Sequence, residues 1–142
     1  MAVKLDELIL AHDFVSGGEA TGMADMAWVE RATGRILMRG DDEEYSDEIP
    51  DDIDDPEKYA EVPGKYELDL GVHLVMDFAR RHLSDGDFDR VRSYFRRPGA
   101  YARFTNLLDR RGLRERWYRF EREAKERALR EWCEEEGIQV ED

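Results

Sequence analysis

The sequence predicts an α+β fold: an N-terminal helix, a small antiparallel hairpin or three-stranded sheet, an acidic loop and a C-terminal cluster of about four helices. Three observations carry that expectation. Apolar residues recur at helical spacing near the start and through most of residues 65–136. Two short apolar runs flank a glycine turn at Ala32-Thr33-Gly34. Between them and the helical part lies a run of acids broken by prolines. The 142 residues predict a single domain over 1–142, with the helix, hairpin and acidic loop in 1–64 and the helical part in 65–142. At this length roughly two-thirds of the unfolded surface can be buried without disulfides or metals.

Each element follows from local pattern. In residues 4–15, Leu5, Leu8, Ile9 and His12 fall at i, i+3, i+4 and i+7, one helical stripe, and Ser16-Gly17-Gly18 is the expected stop. Residues 24–38 read as a hairpin whose Trp28 packs into the core or covers a sheet face. Pro50 and Pro56 forbid a regular helix through the acids. Tyr59 to Val62, before Pro63-Gly64, reads as a third, edge strand. Residues 66–83 read as an amphipathic helix with Leu68, Val72, Val75, Met76, Ala79 and Leu83 on one face. Asp87 is placed to cap a short helix that runs to Phe95. Pro98-Gly99 breaks the chain before a helix over 100–111 with Phe104, Leu107 and Leu108. Gly112 ends it. Residues 113–136 form the longest helix, stopped by Gly137.

Charge is abundant and unevenly placed. Charged residues make up 40% of the chain, and the net charge is −13. Residues 1–71 carry a balance of −14, residues 72–142 one of +1. The run over 41–57 holds 11 acids and no base, whereas residues 80–130 hold 16 bases against 8 acids. No stretch approaches the roughly 18 apolar residues of a membrane span and no signal peptide opens the chain, so a cytoplasmic protein with no membrane partner is expected. A lone cysteine, Cys133, excludes an internal disulfide and a multi-cysteine zinc site.

One stretch resembles a known family. Arg97-Pro98-Gly99-Ala100-Tyr101-Ala102-Arg103-Phe104-Thr105-Asn106-Leu107-Leu108 leads into Gly112-Leu113, Trp117-Tyr118-Arg119-Phe120, Glu131-Trp132 and Glu136-Gly137-Ile138. Upstream, Thr33-Gly34, Asp54-Asp55-Pro56, Tyr59 and Val62-Pro63 match in order. The pattern resembles a bacterial family known as uncharacterised protein family 0158. Thr105-Asn106 departs from it, standing where a lysine-aspartate pair is common. The resemblance implies a bacterial protein and an architecture, and it brings no activity.

Candidate chemistry is sparse. His73 and Asp77 lie at i and i+4, but no HExxH or third ligand accompanies them, so no metal and no cofactor is expected. His12 lies on the apolar stripe and reads as a hydrogen-bonded core histidine. Cys133 stands among Glu131, Glu134, Glu135 and Glu136, whose charges disfavour a thiolate. No serine lies in a G-x-S-x-G context, and an enzyme is not expected. What remains is binding. Eleven carboxylates in a short run steer association with a basic surface. The expected partner is therefore an unidentified basic protein, contacted through Asp41, Asp42, Glu43, Glu44, Asp47, Glu48, Asp51, Asp52, Asp54 and Asp55. A second surface is expected around Gly99, Tyr101, Arg103, Phe104, Arg110 and Arg111. The alternative is nucleic-acid binding through the arginine-rich C-terminal helices.

Overall fold

The computed structural model describes residues 2–22, 25–41 and 46–142. Among them lie five α-helices, a three-stranded antiparallel sheet and a two-stranded parallel pair, an α+β architecture with the helices clustered toward the C-terminus. The elements, in order, are β1 (Ala2–Lys4), α1 (Leu5–Thr21), β2 (Met26–Glu30), β3 (Ile36–Arg39), β4 (Tyr59–Glu61), α2 (Val72–His82), α3 (Asp85–Tyr94), α4 (Ala100–Arg110), α5 (Arg114–Glu136) and β5 (Gln139–Glu141). They divide into two compact units: residues 1–68 with 125–142, and residues 69–124.

In the first unit the sheet has the order β3-β2-β4. Trp28 lies opposite Leu37 on one side and Glu61 on the other. Alternate residues of a strand face opposite ways, and here both faces of β2 are covered. Ala27 and Val29 pack with Leu8, Ala11 and Val15 of α1 and with Leu129, Trp132 and Cys133 of α5. Trp28 packs on the opposite face with Leu37 and Ile53. The parallel pair of β1 with β5 was not foreseen: Val3 lies opposite Val140, so the strands flanking α1 and α5 join directly.

Helix α1 corrects the expected stop at Ser16-Gly17-Gly18. It continues to Thr21 and ends at Gly22, whose backbone is left-handed (φ 75°) and whose N–H donates to the Gly18 carbonyl. Ser16 is held inside the fold, its hydroxyl donating to the His12 carbonyl at 2.7 Å and accepting from the Lys65 N–H at 2.9 Å. The burial of this turn outweighs the helix-interior penalty of glycine, about 1 kcal/mol per residue. His12 is buried in the core, with Nδ1 2.8 Å from the Pro63 carbonyl, as its place on the stripe suggested.

The second unit holds α2, α3, α4 and the first half of α5. Phe78 is its centre, with the rings of Phe104, Trp117 and Phe120 edge-on at 6.4, 5.3 and 5.4 Å. The helix expected from residue 66 begins only at Val72. Asp69 takes a left-handed backbone (φ 57°) and Gly71 is the N-cap, so the chain turns before the helix starts. Leu68 therefore packs in the first unit and Leu70 in the second. Ser84, not Asp87, caps α3, its hydroxyl accepting from the Asp87 N–H. Among the described residues no helix is long and apolar enough to cross a membrane.

Candidate functional site

The acidic run is partly built into the sheet. Asp42, Glu43 and Glu44 lie outside the described residues. From Ser46 onward, the segment expected as an acidic loop is anchored. The Asp47 N–H donates to the Met38 carbonyl, and the Asp47 carboxylate accepts from the Met38 N–H, both at 2.9 Å. Ser46 bonds the backbone of Gly40. Ile49 and Ile53 turn inward against the Trp28 face, which the acid-rich pattern hid. Arg39, Gly40, Asp41, Ser46, Asp47 and Glu48 surround a cleft of about 490 Å³.

The remaining acids of the run separate by role. Asp52 is paired with Lys58 at 2.8 Å, and that hydrogen bond holds its carboxyl below the usual aspartate range. Asp55 accepts from the Glu57 N–H at 3.0 Å and closes a turn. Glu48, Asp51 and Asp54 are exposed, and their side chains have no hydrogen-bond or ion-pair partner among the described residues. Nearby Glu61, on β4, has its carboxyl pushed up by loss of hydration and then by the charges of Glu67 and Asp54. Loss of hydration is the larger cause, and the two neighbouring carboxylates add to it in the same direction.

Across the first unit as a whole, 9 Lys+Arg stand against 26 Asp+Glu, a balance of −17. The second unit holds 13 against 9, a balance of +4. The uneven charge of the sequence thus maps onto the two compact units, and the acidic end of α5 belongs with the acidic run.

The second expected surface is only partly assembled. Gly99 caps α4 with a left-handed backbone (φ 78°), and the Arg103 guanidinium donates to the Pro98 carbonyl at 3.1 Å. Tyr101 stands edge-on to Phe95 at 5.1 Å. These three residues share one end of α4. Phe104 is fully buried and offers no surface, because it is a core ring of the second unit. Arg110 and Arg111 lie about 15 Å away, at the far end of the helix. Arg111 is committed to Asp87, with Nε to Oδ2 at 2.7 Å. The residues that do surround a cavity there are Ser93, Tyr94, Arg96 and Arg97 with Arg103. Their signal in the sequence is the run of arginines interleaved with tyrosines, Arg92, Tyr94, Arg96, Arg97, Tyr101 and Arg103, on which the nucleic-acid alternative rests.

The other candidates take structural places. His73 Nδ1 pairs with Asp69 at 2.8 Å rather than with Asp77, which instead reaches Arg80. That bond and charge raise the His73 pKa above 6.5. Cys133 is buried, and burial pushes its thiol up to about 11. The cause is desolvation rather than the neighbouring glutamates. No family model matches the chain, and no curated protein or solved structure matches it significantly.

Proposed function

We propose that the chain is a non-enzymatic binding module, regulatory in kind, that docks a protein with a basic surface through its acidic unit. The observation that supports this most is the balance of −17 in the first unit, with Glu48, Asp51 and Asp54 exposed and unpaired on a segment anchored to the sheet. An anchored acidic surface loses less entropy on docking than a free chain, and its field steers a basic partner toward it. The likeness of the sequence to family 0158 belongs to the same proposal and adds no activity to it.

The test is capture of partners from a nuclease-treated bacterial lysate by the tagged full chain, alongside a Glu48→Gln, Asp51→Asn, Asp54→Asn triple variant. Among the described residues these side chains have no hydrogen-bond or ion-pair partner, so the variant keeps the fold. A protein retained by the parent chain and lost by the variant, and released as salt rises, is the expected result. Identical sets of retained proteins overturn the reading.

A further inference from the structure

Helices α2, α3 and α4 of the second unit border two clefts that share Arg96. One, of about 360 Å³, is lined by Ser93, Tyr94, Arg96, Arg97 and Arg103. The other, of about 370 Å³, is lined by Met76, Arg80, Phe88, Arg92 and Arg96. Among the described residues no aspartate or glutamate lines either cleft, in a chain that has 35 of them.

Little in the unit neutralises these five guanidinium groups. Arg80 reaches Asp77 at 3.6 Å, with both side chains largely exposed, so the pair is weak. Arg103 donates to a neutral carbonyl. Arg80 and Arg92 lie over Phe88 at 5.6 and 6.0 Å, which fixes the cations without cancelling their charge. The Arg96 and Arg97 side chains have no hydrogen-bond or ion-pair partner among the described residues. Guanidinium groups present paired donors that match phosphate oxygens.

Ligand size and shape follow from the walls. All five arginines are exposed, so a small molecule would keep much of its surface in water, unlike an enclosed pocket ligand. Two clefts joined at one arginine favour an extended ligand with repeated negative charge. Each has only the volume of a small-molecule site, room for the phosphates of one strand and not for a whole duplex. Two guanidinium groups already lie against the Phe88 ring, so contacts fall on phosphates rather than on bases. We propose that this double cleft holds the phosphate backbone of a short single strand of nucleic acid, without sequence preference. The site is independent of the acidic surface argued above. The net charge of −13 opposes long-range approach, most of all at low salt where screening is weakest, so binding rests on short-range contacts between phosphates and the cleft arginines.

Fluorescence anisotropy of a labelled short oligothymidylate, titrated with the full chain, tests this. Affinity should fall as salt rises from about 20 to about 150 mM, with a log–log slope of about −3 for four or five phosphate contacts. Arg96→Ala and Arg97→Ala should each weaken binding about fivefold and flatten the slope by about 0.7. Arg116→Ala and Arg119→Ala remove the same charge outside the clefts and should change affinity by less than about twofold. Absence of binding at low salt overturns the proposal. So does an equal loss in the Arg116 and Arg119 variants, which would mean a diffuse attraction. Displacement by thymidine monophosphate as readily as by unlabelled strand would place a single phosphate in one cleft and overturn the extended track.

Discussion

Asp87 and Arg111 form a two-pronged ion pair, with Nε to Oδ2 at 2.7 Å and Nη2 to Oδ1 at 3.1 Å, that fastens the first turn of α3 to the end of α4. Asp87 is 7% exposed, the most buried acid among the described residues. The Arg111 hydrogen bond and charge hold its carboxyl below 3.8, against a smaller opposing effect of burial. Asp87→Ala should lower the melting temperature by about 5 °C, read by circular dichroism. The pH dependence has a definite sign. Because the folded value is depressed, the pair's contribution is full above the unfolded value near 3.8 and is lost as pH falls through the folded value. The melting temperatures of parent and Asp87→Ala should therefore converge in acid.

Two glycines should respond in opposite directions to alanine. Gly34 closes the β2–β3 turn with a left-handed backbone (φ 77°), and a Cβ there would collide with the Ala2 carbonyl and come within 3.1 Å of the Val3 nitrogen. Backbone cannot yield as a side-chain end can, so Gly34→Ala should cost about 3 kcal/mol and lower the melting temperature by about 8 °C. Gly17 lies inside α1, and a Cβ there meets nothing within 4 Å. Gly17→Ala should gain about 0.8 kcal/mol from helix propensity and raise the melting temperature by about 2 °C. Thermal melts of the two variants check both signs.

Period-driven elements were legible in the sequence, and long-range partners were not. The hairpin, the edge strand at Tyr59 and the helices around Phe104 and Trp117 each follow from local spacing. The pairing of β1 with β5 joins residues near opposite ends of the chain through three-residue strands, too short to show a period. Local rules misplaced two helix ends. Glycine was expected to stop α1, but tertiary burial carried the helix through, and the left-handed Asp69 split a stripe that looked continuous. Among the candidate site residues, the exposed acids were visible as charge. That Ile49 and Ile53 anchor them, or that Arg31 reaches the Pro56 carbonyl, the Glu136 carbonyl and the Glu136 carboxylate, depends on folding.

That Arg31 contact ties three segments of the first unit together. Its Nε donates to the Pro56 carbonyl at 2.9 Å. Its Nη groups reach Glu136, one to the carbonyl at 2.5 Å and one to the carboxylate at 2.9 Å. A cation at a helix C-terminus also meets the negative end of the helix dipole. Lysine keeps the charge but cannot span three acceptors. Arg31→Lys should therefore lower the melting temperature nearly as far as Arg31→Met, by about 4 °C. Full retention of stability in the lysine variant would show that charge alone suffices.

His73 should titrate above 6.5 because Asp69 accepts from its ring at 2.8 Å and lends its charge, with Asp77 adding a smaller effect. Asp69→Asn removes the charge while asparagine still tolerates the left-handed backbone at this position. The variant's His73 should shift back toward 6.5, followed by the ring proton resonances in NMR. A raised folded pKa means the pair stabilises fully below 6.5, and that contribution is lost as pH rises through the folded value. Both side chains are largely exposed, at 65% and 75%, so solvent screening keeps the contribution small. The NMR shift should accordingly be clear while the melting temperature of Asp69→Asn stays within about 1 °C of the parent.

Cys133 reports on opening of the first unit. It is fully buried among Val3, Leu8, Leu129 and Trp132, and burial raises its thiol to about 11, with Arg130 pulling slightly the other way. At neutral pH a thiol of that pKa holds a vanishing thiolate fraction, and reagent has no path to it. A chromogenic disulfide should leave the native protein unlabelled for hours and label it at once in denaturant. At intermediate denaturant the labelling rate should follow the unfolding of the core that contains Cys133. Rapid labelling of the native chain would mean that the α5 segment carrying Leu129, Trp132 and Cys133 leaves the sheet more readily than its packing implies.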